Sequence, residues 1–202
     1  MGMQLILATR NAHKLREIQQ ILGPKFVVHG LSGRDEVAEV NESGSSYEEN
    51  AILKAVTVSK HLPGLIVADD SGLEVDALAG VPGIRSARYA GASASSKKKI
   101  ATLLSQLAKT DARSGQRCAR FRCIAAVARN GQVLATFEGV AEGKIAERPR
   151  GSHGFGYDPI FIPNGFEQTF AELPDEVKNN ISHRAKAIRK MQAEWPTLCR
   201  EV

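Results

Sequence analysis

The sequence predicts an α/β protein on a mixed sheet, and three patterns carry that expectation. Apolar residues recur at helical spacing in some stretches and alternate with mostly polar residues in others. The two kinds of stretch follow one another along the chain instead of segregating into halves. Asn130-Gly131, a strong hairpin turn signal, follows the alternating run at 119–127 and precedes a second strand at 132–140, which predicts a long antiparallel hairpin. The expectation is therefore a mixed sheet rather than an all-parallel one.

Residues 4–9 (QLILAT) read as a buried strand. Asn11 can cap a helix whose apolar positions are Leu15, Ile18 and Leu22, and Gly23-Pro24 ends it. Phe26-Val27-Val28 begins a second strand, and 32–46 is a polar loop. Ser45 with Glu48, or Ser46 with Glu49, offers a capping box for a helix through Lys60. Residues 65–68 form a third strand and 73–75 a short fourth, separated by Asp69-Asp70-Ser71-Gly72. Pro82-Gly83 marks a turn, and 96–108 suits a helix. Residues 148–157 are loop, 159–162 a short strand. A last helix follows Ser182, with Ala185, Ile188, Met191 and Trp195 on one face.

The 202 residues suffice for one domain, or one domain with two lobes. No run approaches the length of a membrane span, and the N-terminus lacks the basic start of a signal peptide. The expectation is a cytoplasmic protein with three reduced cysteines. Cys118 and Cys123, five apart in one strand, face opposite ways. The net charge of +5 favours an anionic partner, nucleic acid or a phosphorylated small molecule. Basic residues do not interleave with aromatics as in single-strand binders. Lys97-Lys98-Lys99 reads as a solvated face.

Five stretches carry possible chemistry. ATRNAHK, residues 8–14, passes from strand to helix and puts Arg10 and Lys14 near helix-start N–H groups, which attract phosphate. Its bland reading is a capped helix with cations in solvent. In SYEENAILKA, residues 46–55, the default for Glu49, Asn50 and Lys54 is a solvated helix face. In LIVADDSGLEVDAL, residues 65–78, two adjacent carboxylates end a buried strand, and burying them demands a cation. One could bind Mg²⁺ while the other orients it, or one could act as base on a water; an Asx turn is the structural alternative. GSHGFGYDP, residues 151–159, lets backbone approach a flat ligand and offers Phe155 or Tyr157 for stacking; otherwise it is a packed surface loop. In EVKNNISHRAKA, residues 176–187, His183 and Arg184 sit at a helix start, where the dipole disfavours cations unless an anion is near.

Together these segments resemble the inosine triphosphate pyrophosphatase family. ATRNAHKLREI, ENAILKA, ADDSGLEVDAL, PGIRSARYAG, GFGYDPIF and NNISHRAKA match in collinear order from Leu5 nearly to Trp195. The resemblance implies an elongated, two-lobed α/β fold around a long, mixed, bent sheet with flanking helices. All of residues 1–202 would form one such domain with a central substrate cleft. It implies Mg²⁺-dependent hydrolysis of ITP, dITP and XTP to monophosphate and pyrophosphate, by a homodimer with no stable nucleic-acid partner and no membrane association.

The resemblance further implies roles. Asp70 is the general base and, with Glu42 and Asp69, the metal-associated acid set. Thr9, Arg10, Asn11, Ala12, His13, Lys14, Lys54 and Ser71 contact the substrate's phosphates or its neighbourhood. Phe155, Gly156, Tyr157, Asp158, Lys178, His183 and Arg184 contact purine and sugar phosphate. Asn41 stands where the family often has an acid, and Arg10 and His13 where it often has small residues. Selectivity requires a donor for the purine 6-oxo group; His183, Arg184 and N–H groups near Phe155 are the candidates. The rivals are a Maf-like pyrophosphatase of other specificity and a basic nucleic-acid-binding protein.

Overall fold

A computed structural model describes residues 2–34, 37–110 and 116–200. Eleven elements follow in order among them: β1 (Met3–Leu7), α1 (Ala12–Leu22), β2 (Phe26–His29), α2 (Tyr47–Ser59), β3 (Ile66–Val75), α3 (Ser96–Leu107), β4 (Cys118–Arg129), β5 (Gln132–Ile145), β6 (Phe161–Pro163), α4 (Asp175–Ile181) and α5 (His183–Arg200). Short 3₁₀ turns occupy Asp76–Leu78, Gly83–Arg88 and Asp158–Ile160.

The strands form one sheet in the order β2-β1-β3-β4-β5-β6. β1 pairs in parallel with β2 and β3, while β6 pairs antiparallel with β5. The sheet is mixed, as the hairpin signal required. Asn130 and Gly131 both adopt positive φ, 51° and 80°, which joins β4 to β5 by a two-residue turn.

The chain divides into two compact units. Unit 1 comprises residues 1–70, 123–139 and 183–202; unit 2 comprises 71–122 and 140–182. Unit 1 holds two apolar clusters. In one, Ile18 and Leu22 of α1 meet Ile188, Met191 and Trp195 of α5, the two stripes expected from their spacing. In the other, Ala51, Ala55 and Val58 of α2 pack with Ile66 and Ala68 of β3. Unit 2 has its own cluster, where Phe121, Phe161 and Phe170 meet with centroids 4.7–6.1 Å apart.

Two expectations need correction. The chain does not turn at Asp69-Asp70-Ser71-Gly72: β3 is one continuous ten-residue strand through them. The local sequence suggests a turn because Asp, Ser and Gly favour turns when solvated. Here the carboxylates find cations and the ladder continues. Secondly, Asn50 and Lys54 do not lie on a solvated face. They are 0% and 8% exposed and look inward beside Ala51 and Ala55. α4 was not foreseen at all. It is seven residues long, too short for periodicity to declare it, and Pro174 precedes it without a side-chain cap.

Candidate functional site

In unit 1 the strand pleat turns Asp69 and Asp70 to opposite faces. Asp69 Oδ2 lies 3.0 Å from Lys14 Nζ and accepts from Arg184 through Nη2 at 3.2 Å and Nε at 3.3 Å. Arg184 also donates Nη1 to Glu17 at 2.7 Å. Burial alone would raise the Asp69 pKa, but Lys14, Arg184 and Lys54 outweigh it and hold the carboxyl well below the usual range. Arg184, although buried, is pushed further up by Glu17 and Asp69 and is always charged.

Asp70 has different company. Asn50 Nδ2 donates to its Oδ2 at 3.2 Å, and Lys54 Nζ lies 3.6 Å from its Oδ1. The same ammonium donates to Glu42 at 2.9 Å and to the backbone carbonyl of Asp69 at 2.6 Å. Burial dominates at Asp70 and raises its pKa, with the nearby Glu42 charge adding to the rise against the pull of Lys54. Burial works against the Lys54 charge, yet Asp70, Asp69 and Glu42 overcome it and raise its pKa. Adjacent residues thus differ in kind: Asp69 is a committed anion, Asp70 a carboxyl made more basic.

The turn before α1 is arranged by its own side chains. Thr9 Oγ1 accepts from Asn11 N at 3.2 Å, and Asn11 Oδ1 accepts from the N–H groups of His13 and Lys14 at 2.9 and 3.4 Å. Ala12 and His13 are exposed. Arg10 reaches away, donating to the Val37 carbonyl at 2.5 Å and to that of Arg34 at 3.5 Å. Its guanidinium clasps the loop leading to Glu42.

Unit 2 holds the Gly-aromatic loop. Asp158 Oδ2 accepts the Phe155 N–H at 2.7 Å and the Lys178 ammonium at 2.7 Å. That ammonium lies 5.0 Å from the Phe155 ring centroid. Gly154 has φ +69°, and a Cβ there would overlap Asp158 Oδ2, so only glycine permits the bond. Tyr157 donates its hydroxyl to the Ser86 carbonyl at 3.1 Å, and Ser86 Oγ accepts the Leu73 N–H at 2.9 Å. Ser71 and Gly156 are half-buried.

Unit 1 therefore gathers Lys14, Glu42, Lys54, Asp69, Asp70 and Arg184, and unit 2 gathers Phe155, Asp158 and Lys178. His183 is 4% exposed and opens α5. Gly139 of β5 seats that helix start: a Cβ there would overlap the His183 carbonyl and come within 2.5 Å of Ala187 N. Arg184 donates to Asp69 and Glu17, and the Phe155 N–H to Asp158. Three contributors escaped the sequence reading as site residues: Glu17, Asn50 and Ser86. Asn50 precedes Lys54 by four residues and Glu17 follows Lys14 by three, spacings that share a helix face.

As oxygen donors, Asp70 and Glu42 converge on one ammonium and suit a hard cation that takes one or two carboxylates plus substrate phosphates. Among the described residues, no cluster of three or more His, Cys, Asp or Glu side chains could hold a metal. Asp69 points to the opposite face of β3 from Asp70, where it is paired with Lys14 and Arg184.

The Ham1 family model matches residues 5–194. The chain is 46% identical over 189 residues to the dITP/XTP pyrophosphatase of Bacillus subtilis (strain 168), covering 93% of this chain and 94% of that protein. The solved HAM1 protein from Coxiella burnetii superposes with a TM-score of 0.85 at 37% identity, covering 96% of this chain and 99% of that one. The Staphylococcus aureus Ham1 protein gives 0.83 at 40% identity, covering 96% and 98%. Likeness of this extent in sequence and fold settles one matter: the chain belongs to the Ham1 family.

Proposed function

We propose that this protein hydrolyses deaminated purine nucleoside triphosphates (dITP, XTP and ITP) to the monophosphate and pyrophosphate, clearing them from the nucleotide pool. One observation carries the reading: a nearly buried ammonium, Lys54, held between two carboxylates, one of them made more basic by burial. The relatives named dITP/XTP pyrophosphatase, over nearly their whole lengths, support the substrate class.

Asp70 is assigned as the base that takes a proton from the attacking water. A carboxyl with a raised pKa binds that proton more readily than an ordinary one. Lys54 holds positive charge beside Asp70, where the polyphosphate gains negative charge. Lys14, anchored on Asp69, adds a second cation; Arg184 fixes Asp69 so that Lys14 is held in place. Thr9 and Asn11 shape the turn that presents Lys14. Asp70 and Glu42 would hold Mg²⁺, which when bound neutralises phosphate charge. Ser71 is assigned a substrate contact, and the loop Phe155–Asp158 with Lys178 is assigned to the purine. His183, Arg184 and the backbone N–H groups near Phe155 are the groups assigned to the 6-oxo oxygen.

The active species is proposed to be a homodimer working in the cytoplasm on a nucleotide, not on nucleic acid. No helix among the described residues is long and apolar enough to cross a membrane. The test is product analysis on dITP, XTP, dATP, dTTP and UTP, with and without Mg²⁺. Pyrophosphate release from dITP and XTP that requires Mg²⁺ is expected. Preference for dTTP or UTP would favour the Maf-like rival, and salt-sensitive DNA binding without turnover the other.

A further inference from the structure

Asn50 is fully buried, and its amide has a partner at each end. Oδ1 accepts the Gly44 N–H at 2.8 Å, and Nδ2 donates to Asp70 Oδ2 at 3.2 Å. The Gly44 N–H can only donate, so it dictates which end of the amide faces it. The NH₂ group is thereby turned to Asp70, and it too can only donate. The amide cannot flip without losing both bonds. Gly44 is two residues beyond Glu42, and its backbone sits close: a Cβ there would come within 2.8 Å of Asn50 Oδ1 and of Glu49 Cβ.

Lys54 follows Asn50 by one helical turn on the same face of α2. Both reach the same two destinations, the Glu42 loop and the Asp70 carboxylate. Lys54 brings charge on a flexible stem, which sets direction poorly. The amide brings no charge but has a fixed plane.

We propose that Asn50 is a positioning residue for the hydrolysis: it locks the rotation of the Asp70 carboxylate and fastens the Glu42 loop to the same helix, fixing the separation of the two acids. This rests on the assignment of Asp70 and Glu42 above. Asn50 acts only through Asp70 and Gly44, without touching the substrate.

Two variants separate the two bonds. Asn50→Asp keeps the side-chain volume and the acceptor for Gly44 but replaces the donor to Asp70 with a second carboxyl, whose charge Asn50→Ala lacks, so a fall shared by both variants reports the lost bond and not the added charge. Asn50→Ala removes both. With dITP and Mg²⁺, kcat should fall about 10- to 100-fold in each, while KM stays within about threefold of wild type. Hydrogen exchange of the nucleotide-free enzyme reports the other bond: the segment containing Gly44 should exchange faster in Asn50→Ala but keep its protection in Asn50→Asp. If Asn50→Ala does not fold, Asn50→Leu, neutral and close to asparagine in volume, carries the kinetic test. Asp70→Asn and Glu42→Gln are the controls. Should they lose turnover while both Asn50 variants keep wild-type kcat, the positioning role is overturned and the site assignment stands. A raised KM with kcat unchanged would also overturn it, since that marks a substrate contact. Full turnover in both controls would overturn the site assignment and this role with it.

Discussion

Arg184 grips Asp69 through two nitrogens of one guanidinium, at 3.2 and 3.3 Å, with both residues at most 3% exposed. It joins the first turn of the last helix to a strand over a hundred residues earlier. Breaking such a buried pair strands a charge in a low-dielectric interior.

Asp69 and Asp70 should respond oppositely to the same change. Asp69→Asn removes the partner of Lys14 and Arg184 and should cost about 3 kcal/mol of stability. Asp70→Asn substitutes a neutral group where burial already disfavours charge, so the melting temperature should hold or rise. Its turnover should nonetheless drop about 100- to 10,000-fold. Thermal melts and pyrophosphate release on the two variants check both halves.

The acid response follows from the same pair. The folded pKa of Asp69 is depressed, so its contribution to stability is fully present above the ordinary carboxyl value. It is lost as pH falls through the depressed value, a window opening below about pH 4. The stability gap between wild type and Asp69→Asn should therefore be constant through neutral pH and narrow in strong acid. Urea melts at pH 7, 5 and 3 measure it.

Arg10→Ala should release the loop that Arg10 clasps at Val37. Hydrogen exchange over residues 37–43 should speed up, and kcat/KM should fall less than about tenfold, because no charge in contact with Asp70 is removed. A loss as large as that of Asp70→Asn would show that Arg10 serves the reaction directly.

Cys123 is fully buried with its thiol pushed up to about 12, mainly by desolvation, whereas Cys118 and Cys199 are exposed. Iodoacetamide at pH 8 should label two thiols in the native protein and the third only after denaturant is added. Mass spectrometry counts the labels.

Much of this molecule was legible in its sequence, and the failures share a cause. The helical stripes of α1 and α5, the caps at Asn11 and Ser46, and the Asn130-Gly131 hairpin are local signals, and each appears where expected. The continuity of β3 is not local. Asp69 and Asp70 stay in a strand because Lys14, Lys54 and Arg184 arrive from three separate helices. Lys54 looked solvated for the same reason: a buried lysine cannot be distinguished from an exposed one until its acids are known. Arg10 points to a carbonyl more than twenty residues away, which no spacing rule encodes. The motif match set Asp70 apart from Asp69 as the base, but it could not show the partners, Lys14 and Arg184 for one and Asn50 and Lys54 for the other, that make the two carboxyls differ.

Position 139 admits backbone alone, since the start of α5 lies directly against it. Any library built on this scaffold is closed at that point to all nineteen larger residues, whatever else is varied. Natural drift meets the same barrier: a methyl group there would lift the helix whose second residue holds Asp69, and so disturb an acid seventy positions earlier in the chain.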